Sequence, residues 1–481
     1  MKMLFINALL GGDFSAMDIA ITSLATFLNE RTHHKAAILD MTFHTKHWKE
    51  HLHNRIKKEK PDIIGMSCNT MYMQYVKTIA KEIKEYYDIP IILGGHHASI
   101  RPQETLNISE VDAVCIGDGE FALAKFLDNL EKGKSAKGIP GIWAKENGKQ
   151  IKNPGGCFIH NIDQFPIPNW DLWEDLDKYF YYLGMLYIIG TRGCPYKCTY
   201  CDAHGIANAV KGQYYRLRDP VKLAQEIAYH WEKYKNRGVR LAQLFDPVFT
   251  LNEKWLKAFC DEYRRLGMHN KLRFSAFSRI DNLDENKIKM LSKSGCALLR
   301  VGIEAGDPFI RNTVYQKHIS DDQIRRIVKL CKKNGIALTA FYILGGPGET
   351  RKTIETTIKI ATEVDANRSA FFIFKPFTAE SEQLLMEYGG YIDESRWQKV
   401  DNITFDAVVN LKDINAKQVE LLQMKAYFLT FGKRLLRMIG RKKLMYFIHF
   451  LTYMSRGMRD GLDSSYLLPY FHIYGYDNVD K

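Results

Sequence analysis

The chain has 481 residues, 46% of them hydrophobic and 26% charged, with 34 Gly and 14 Pro. This composition excludes a mainly disordered, collagen-like or low-complexity chain, and the length suits about three domains. Nine Cys, an odd number spread over this length, argue against a secreted disulfide framework. No stretch reaches the roughly 18 apolar residues of a spanning helix. The apolar start Met1–Leu10 is followed by no small-residue cleavage site, so the sequence predicts a cytoplasmic protein. Net charge is +13, but nine Lys/Arg and no Asp/Glu fall between Leu421 and Arg459. Setting those nine aside leaves +4, so the basic character sits in the C-terminal tail.

From the N-terminus, Met3–Asn7, Ala36–Asp40, Asp62–Ser67, Ile91–Gly94 and Ala113–Ile116 read as strands. Asp18–Leu28, Tyr75–Tyr86 and Glu120–Leu130 read as helices. This alternation predicts an α/β domain over residues 1–138 with a doubly wound parallel sheet, Rossmann- or flavodoxin-like. The turns Leu9–Gly12, Ser67–Thr70, Gly94–His97 and Gly117–Glu120 all follow strand ends and should line one rim. Any one of them reads equally well as a tight turn. Four on one edge, with glycines that let backbone approach a large ligand, favour a binding rim. Residues 139–184 read as a linker, with Pro154, Pro166, Pro168, Trp170 and Trp173 and little periodicity.

A second alternation covers 185–385. Strands are expected at Leu186–Gly190, Leu241–Phe245, Arg273–Phe277, Leu298–Ile303, Ala337–Leu344 and Ala370–Phe374, with helices between them. Six such units predict a partial (β/α)6 barrel of the TIM type. Residues 386–481 lose the rhythm and are expected to be mainly helical and basic.

The sharpest chemical signal is Gly193-Cys-Pro-Tyr-Lys-Cys-Thr-Tyr-Cys201. Three thiols on one loop, Cys194, Cys198 and Cys201, can hold three irons of a [4Fe–4S] cube and leave the fourth open to chelate a small molecule. A zinc site with His204 as fourth ligand is the competing reading, but no second Cys/His pair follows. The other six cysteines, Cys68, Cys115, Cys157, Cys260, Cys296 and Cys331, read as core residues.

Cys-x-x-x-Cys-x-x-Cys, with Tyr200 before the third Cys at the start of an α/β barrel, resembles the radical S-adenosylmethionine (SAM) superfamily. The resemblance continues through Tyr215–Pro220, Phe245–Thr250, Ser278–Asp281, Gly302–Gly306 and Gly345–Thr350. Pro247 replaces a second acidic residue, and Pro376–Ala379 is a weak form of the closing motif. The resemblance implies SAM contacts from Tyr200, Arg216, Arg218, Asp246, Arg279, Glu304, Gly345 and Gly346. An arginine would pair with the SAM carboxylate, and Asp246 or Glu304 would accept from the amine or ribose. Glu349 is expected to cap the following helix.

The N-terminal segments Pro61–Ser67, Gly94–Ala98 and Gly117–Glu120, and the linker run Ile162–Asp171, resemble cobalamin-dependent radical SAM enzymes. That likeness implies a cobalamin site built from Ser67, Asn69, Thr70, Gly94, Gly95, His96, Gly117, Gly119 and Glu120. An Asp-x-His-x-x-Gly motif is absent, since Asp40…His44 has the wrong spacing, so cobalamin is expected without a protein His on cobalt. The family's chemistry implies a methyltransferase acting on an unactivated carbon through a 5′-deoxyadenosyl radical and methylcobalamin. Ring contraction or oxidative cyclisation is the alternative, and a non-catalytic sensor a remote one, since no DNA-binding module is legible. An electron donor such as flavodoxin or ferredoxin would be needed.

In the tail, Met424, Phe428, Phe431, Leu435 and Met438 recur at helical spacing, widened by Leu422, Leu429 and Leu436, with basic residues among and beyond them. Such a helix over 421–459 either rests on an anionic membrane at the inner face, reaching a lipid-like substrate, or packs its stripe on the barrel. Nothing points to nucleic acid.

Overall fold

The structure is a computed structural model that describes residues 1–11, 17–400, 404–438 and 451–456, with no side chains described for 431–438. The expectations that fall on Gly12, on the side chains from Phe431 to Met438, and on 439–450 and 457–481 lie outside the described residues. The chain divides into two compact units, one built mainly from 1–179 and 202–216, the other mainly from 180–201 and 217–455.

The first unit holds a seven-stranded sheet in the order β2-β1-β3-β4-β5-β6-β7. Its parallel strands are β1 (Lys2–Asn7), β2 (Lys35–Asp40), β3 (Ile63–Ser67), β4 (Ile91–Gly94) and β5 (Ala113–Cys115). Residues 63–66 of β3 are all buried, the near-continuous apolar run of a strand covered on both faces. The helix Ile19–Arg31 starts where the Asp18 carboxylate accepts from the N–H groups of Ala20 and Ile21, at 2.7 and 3.0 Å. The order β2-β1-β3 places the topological switch between β1 and β3, where doubly wound sheets open a crevice.

Two elements differ from expectation. A helix spans Trp48–Glu59, where only Leu52 and Ile56 are buried. That is too thin a stripe to read from sequence. The predicted linker begins as a hairpin, β6 (Ile142–Glu146) and β7 (Lys149–Lys152), that adds to the sheet antiparallel to β5. Its Asn147-Gly148 turn has positive φ at both residues, 50° and 72°. The rest of the linker up to Tyr179 is pinned to this unit. Trp173 Nε1 donates to Thr22 Oγ1 at 2.8 Å, and Tyr179 OH donates to Asp40 Oδ2 at 2.9 Å.

The second unit holds a six-stranded parallel sheet in sequence order. Its strands are β8 (Met185–Ile188), β9 (Leu241–Leu244), β10 (Arg273–Ser278), β11 (Cys296–Glu304), β12 (Ala337–Leu344) and β13 (Arg368–Ile373). The first and last strands are not paired with each other, so the barrel is open, as expected. Helices return between strands with strong local starts. Asp219 caps Pro220–Tyr234, and a reciprocal Ser320/Gln323 capping box opens Asp321–Lys333.

Beyond the barrel, the helix Ala416–Met438 buries Val419, Leu422 and Ala426, while Gln423 Nε2 donates to the carbonyl of Phe371 on β13 at 2.7 Å. Leu421, Met424 and Phe428 are exposed, Phe428 by 78%. The expected stripe is therefore split between two faces. Cys157 is exposed, not a core residue, whereas Cys68, Cys115, Cys260, Cys296 and Cys331 are buried.

Candidate functional site

In the first unit, the C-terminal ends of β3, β4 and β5 bring three of the predicted turns together. Cys68 N–H donates to Gly94 O at 2.8 Å and His97 N–H to Cys68 O at 3.1 Å, which locks the first two loops. Gly95 has φ 94°, and a Cβ there would lie 2.8 Å from Cys68 O and 3.0 Å from Ser67 Oγ. Only glycine lets these loops close so tightly. Gly117 N–H donates to Ser99 Oγ at 3.0 Å.

The remaining predicted rim residues divide. Asn69 Oδ1 accepts from Tyr72 N–H at 2.9 Å, and Thr70 Oγ1 lies 3.0 Å from His97 Nδ1, so both side chains hold local structure. Gly119 faces Leu24, and Glu120 is the buried first residue of the helix Glu120–Glu131. His96 Nδ1 lies 2.7 Å from Asp202 Oδ2, and burial raises the Asp18 carboxyl, opposed by the Ile21 and Ala20 N–H groups and the Ser67 side chain. Asp18 and Asp202 were missed from sequence because Asp18 reads only as a helix start and Asp202 only as the residue after the cysteine motif. Small residues, one hydroxyl and closely approaching backbone fit the edge of a large, flat cofactor.

In the second unit, the cysteine loop follows β8. Cys201 N–H donates to Cys198 O at 3.1 Å, which makes a tight turn between the second and third cysteines. Thr199 Oγ1 donates to Val314 O at 2.7 Å. Arg279, just beyond β10, holds the same loop. Its Nη1 is 3.2 Å from Cys198 Sγ, its Nη2 donates to Lys317 O at 2.7 Å, and its Nε pairs with Asp281 at 2.9 Å. The guanidinium also stacks 3.8 Å above the Tyr196 ring. Burial raises the Cys194 thiol, opposed by the Tyr196 N–H and by the Arg279 and Lys317 charges. Three thiols beside two fixed cations fit an anionic iron–sulfur cluster.

Glu304 ends β11 at a bulge, in the left-handed region with φ 70°. Its Oε1 accepts from Lys317 Nζ at 2.7 Å and from Tyr200 OH at 2.9 Å, and Lys317 also donates to Tyr200 OH at 3.0 Å. A Cβ at Gly302 would lie 1.8 Å from Glu304 Oε1 and 2.8 Å from Lys317 Nζ, so this knot requires glycine there. Lys317 escaped sequence reading, because a lone loop lysine carries no signal until the fold buries it.

Burial raises two further carboxyls well above the ordinary carboxylate range. Asp246 follows β9 and accepts from Gly190 N–H at 3.0 Å; burial, partly offset by these bonds and the Arg218 charge, pushes it up to about 7. Glu349 accepts from Gly345 and Gly346 N–H at 2.7 and 3.0 Å, and burial pushes it up to about 8. Glu349 thus caps the glycine turn, and Thr350 caps the helix that follows, which corrects the sequence expectation. Asp246 Oδ2, Glu349 Oε1 and Tyr315 OH are buried with no hydrogen-bond partner among the described residues. A Cβ at Gly346 would lie 1.8 Å from Tyr315 OH, so only glycine lets Tyr315 pack there. The unspent polar atoms beside it fit a polar ligand.

The predicted arginines go elsewhere. Arg216 belongs to the first unit, where it pairs with Asp118, donates to Ile159 O at 2.9 Å and lies over Phe158. Arg218 pairs with Glu226 and donates to Ile189 O at 3.2 Å. Both charges are spent on protein partners, so neither is a waiting clamp for a ligand carboxylate. Gly345, with φ 80°, faces Val419 of the C-terminal helix.

Two family models match the chain, the B12 binding domain over residues 7–127 and the Radical SAM superfamily over 188–361. An uncharacterized methyltransferase of Pyrococcus horikoshii is 32% identical over 382 residues, covering 77% of this chain and 79% of that protein. The anaerobic magnesium-protoporphyrin IX monomethyl ester cyclase of Rubrivivax gelatinosus is 26% identical over 74% of this chain, which spans 63% of the cyclase. Among solved structures, the radical SAM methyltransferase TsrM from Kitasatospora setae shares the fold. Its TM-score is 0.67 at 21% identity, over 81% of this chain and 77% of TsrM. With the thiol loop in one unit and the glycine rim in the other, the chain belongs to the radical SAM enzymes that carry a B12 binding domain and use a [4Fe–4S] cluster, SAM and cobalamin.

Proposed function

We propose that the protein is a C-methyltransferase that places a methyl group on an unactivated carbon of a small-molecule or lipid-like substrate. The observation that carries this reading is the 32% identity, over 77% of this chain, to an uncharacterized methyltransferase. When bound, the cluster and SAM supply hydrogen-atom abstraction, and cobalamin supplies a methyl donor.

The chain's own residues hold and shield these groups. Cys194, Cys198 and Cys201 would bind three irons, with Arg279 fixing Cys198 and adding positive charge beside it. Glu304, positioned by Lys317 and Tyr200, and Asp246, through its unspent oxygen, would take the polar groups of SAM, with Gly346 and Tyr315 beside them. Ser67, Gly94, Gly95, His96 and Gly117 would line the cobalamin, with no protein His below cobalt. His44, at the wrong spacing for that role, faces Asp175 at 2.8 Å instead, which supports this reading. A reduced flavodoxin or ferredoxin would supply electrons.

The cyclase relative favours a second reading, a reaction that leaves no methyl group on the product. Incubation with methyl-labelled SAM and candidate substrates decides between them. Label in the product, with one 5′-deoxyadenosine formed per turnover, is the expected result. A modified product without label would replace methylation by cyclisation or a related reaction.

No helix among the described residues is long and apolar enough to cross a membrane. The exposed Leu421, Met424 and Phe428, with Lys425 among them and a basic sequence beyond, support a peripheral contact with anionic lipid. Co-sedimentation with anionic liposomes at low salt, lost at high salt, is expected. A protein that stays in the supernatant at low salt would remove the membrane from this account.

A further inference from the structure

Among the described residues the first unit contains two convergences of metal-ligating side chains, His33–His34–Glu131, with His33 and Glu131 exposed, and a more sheltered one around His44 and His51. His44 follows β2, His51 lies on the first turns of the helix Trp48–Glu59, and Glu174 and Asp175 lie in the segment pinned by Trp173 and Tyr179. One ligand atom from each of His44, His51 and Glu174 lies within 4.8 Å of the others. His44 Nε2 is 2.8 Å from Asp175 Oδ2, and His51 Nε2 is 2.9 Å from Glu174 Oε1. The two imidazoles stack with centroids 3.7 Å apart and planes 11° apart. Two imidazole nitrogens and one carboxylate oxygen therefore converge, with the Asp175 carboxylate beside His44 as a fourth donor that must move in.

The outer ends of the carboxylates are already occupied. Arg55 Nη1 lies 3.4 Å from Glu174 Oε2, and Lys178 Nζ lies 2.8 Å from Asp175 Oδ1. Each carboxylate thus presents one oxygen to an imidazole and fixes the other on a cation, the orienting arrangement that metal ligands use. The four side chains are between 11% and 29% exposed, sheltered yet reachable by an ion from solvent.

We propose that His44, His51, Glu174 and Asp175 form a site for a zinc-class divalent ion, which staples the linker segment to the first unit. Imidazole nitrogen with carboxylate oxygen is a donor set that suits zinc, and cobalt(II) as its probe. At bond lengths of about 2.0–2.2 Å, a tetrahedral ion needs ligand atoms roughly 3.3–3.6 Å apart. The stacked rings must tilt so that both Nε2 atoms point at one centre, and the two hydrogen bonds give way to four coordinate bonds. The ion would add a third fixing point between the Trp173 and Tyr179 hydrogen bonds, five residues ahead of Phe180, where the chain enters the second unit.

The thiol loop would bind the same ions, so the test uses the full-length chain with Cys194→Ala, Cys198→Ala and Cys201→Ala as background. Titration with Co²⁺ is expected to give about one ion per chain, with visible bands of nitrogen–oxygen ligation and no thiolate charge-transfer band. Zn²⁺ should displace it and raise the first thermal transition. Adding His44→Gln and His51→Gln, which keep a hydrogen-bonding side chain at each position, should abolish both the bands and the thermal shift. The pair of glutamines is chosen so that a folded protein, checked by circular dichroism, remains for comparison. A background that binds no Co²⁺, or a His44→Gln/His51→Gln variant that binds it undiminished, would overturn the site.

Discussion

Changing Cys194, Cys198 and Cys201 together to alanine is expected to take bound iron from about four atoms per chain to background and to abolish SAM cleavage. Each thiolate supplies one iron–sulfur bond, and no other Cys lies in the second-unit loop that could replace it. Cys260, Cys296 and Cys331 are buried, and burial pushes all three thiols up, Cys260 to about 11 and Cys331 to about 12, so none offers a ready thiolate. The fold should survive, because Cys194 and Cys201 are only partly buried and the loop keeps its Thr199 and Tyr200 anchors. Cobalamin binding should survive too, since the glycine rim draws on none of the three thiols. Iron analysis, 5′-deoxyadenosine formation and corrinoid absorbance measured on one preparation separate these effects. SAM cleavage at the normal rate by this variant would remove the cluster assignment.

The two alternations were legible because their strands are short apolar runs punctuated by glycine-bearing turns, and both sheets follow from them. The hairpin Ile142–Lys152 was missed although Asn147-Gly148 is a strong turn signal. Its second strand, Lys149–Lys152, has one apolar residue and covers nothing, so hydropathy gave no support. At the site, Cys194, Cys198 and Cys201 were readable because their chemistry depends on spacing along one loop. The Glu304 knot was only half readable. The strand-end motif pointed to Glu304, but Lys317 comes thirteen residues later, from a loop that folds back to it. Arg216 and Arg218, either of which the resemblance offered to the SAM carboxylate, are sent by the backbone to different partners, one to Asp118 and the other to Glu226. Sequence proximity could not reveal that, because the partners lie in different segments.

The Glu304–Lys317 pair carries the second large effect. Both side chains are under a tenth exposed, at 8% and 5%. Replacing one partner leaves the other as a buried, uncompensated charge, a loss of about 3–5 kcal/mol, whereas removing both at once costs much less. Lys317→Met is therefore expected to lower stability by that amount in urea unfolding under anaerobic conditions. Lys317→Met with Glu304→Gln should recover a large part of it, since a neutral amide can still accept from Tyr200 OH at the same place. SAM binding should not follow stability. The double variant has lost the carboxylate that would take the SAM amine or ribose, so its SAM cleavage should stay at background while its fold is restored. The backbone sharpens this contrast. Glu304 sits at φ 70°, a conformation that costs a non-glycine residue roughly 1–3 kcal/mol and persists only when the surroundings enforce it. The bulge in β11 and the glycine at 302 supply that enforcement, and both remain in the double variant. If Lys317→Met unfolded at the same urea concentration as the parent protein, the pair would not be a buried couple. If the double variant cleaved SAM normally, Glu304 would be a structural residue and the SAM amine would have another acceptor, with Asp246 and its unspent oxygen the next candidate.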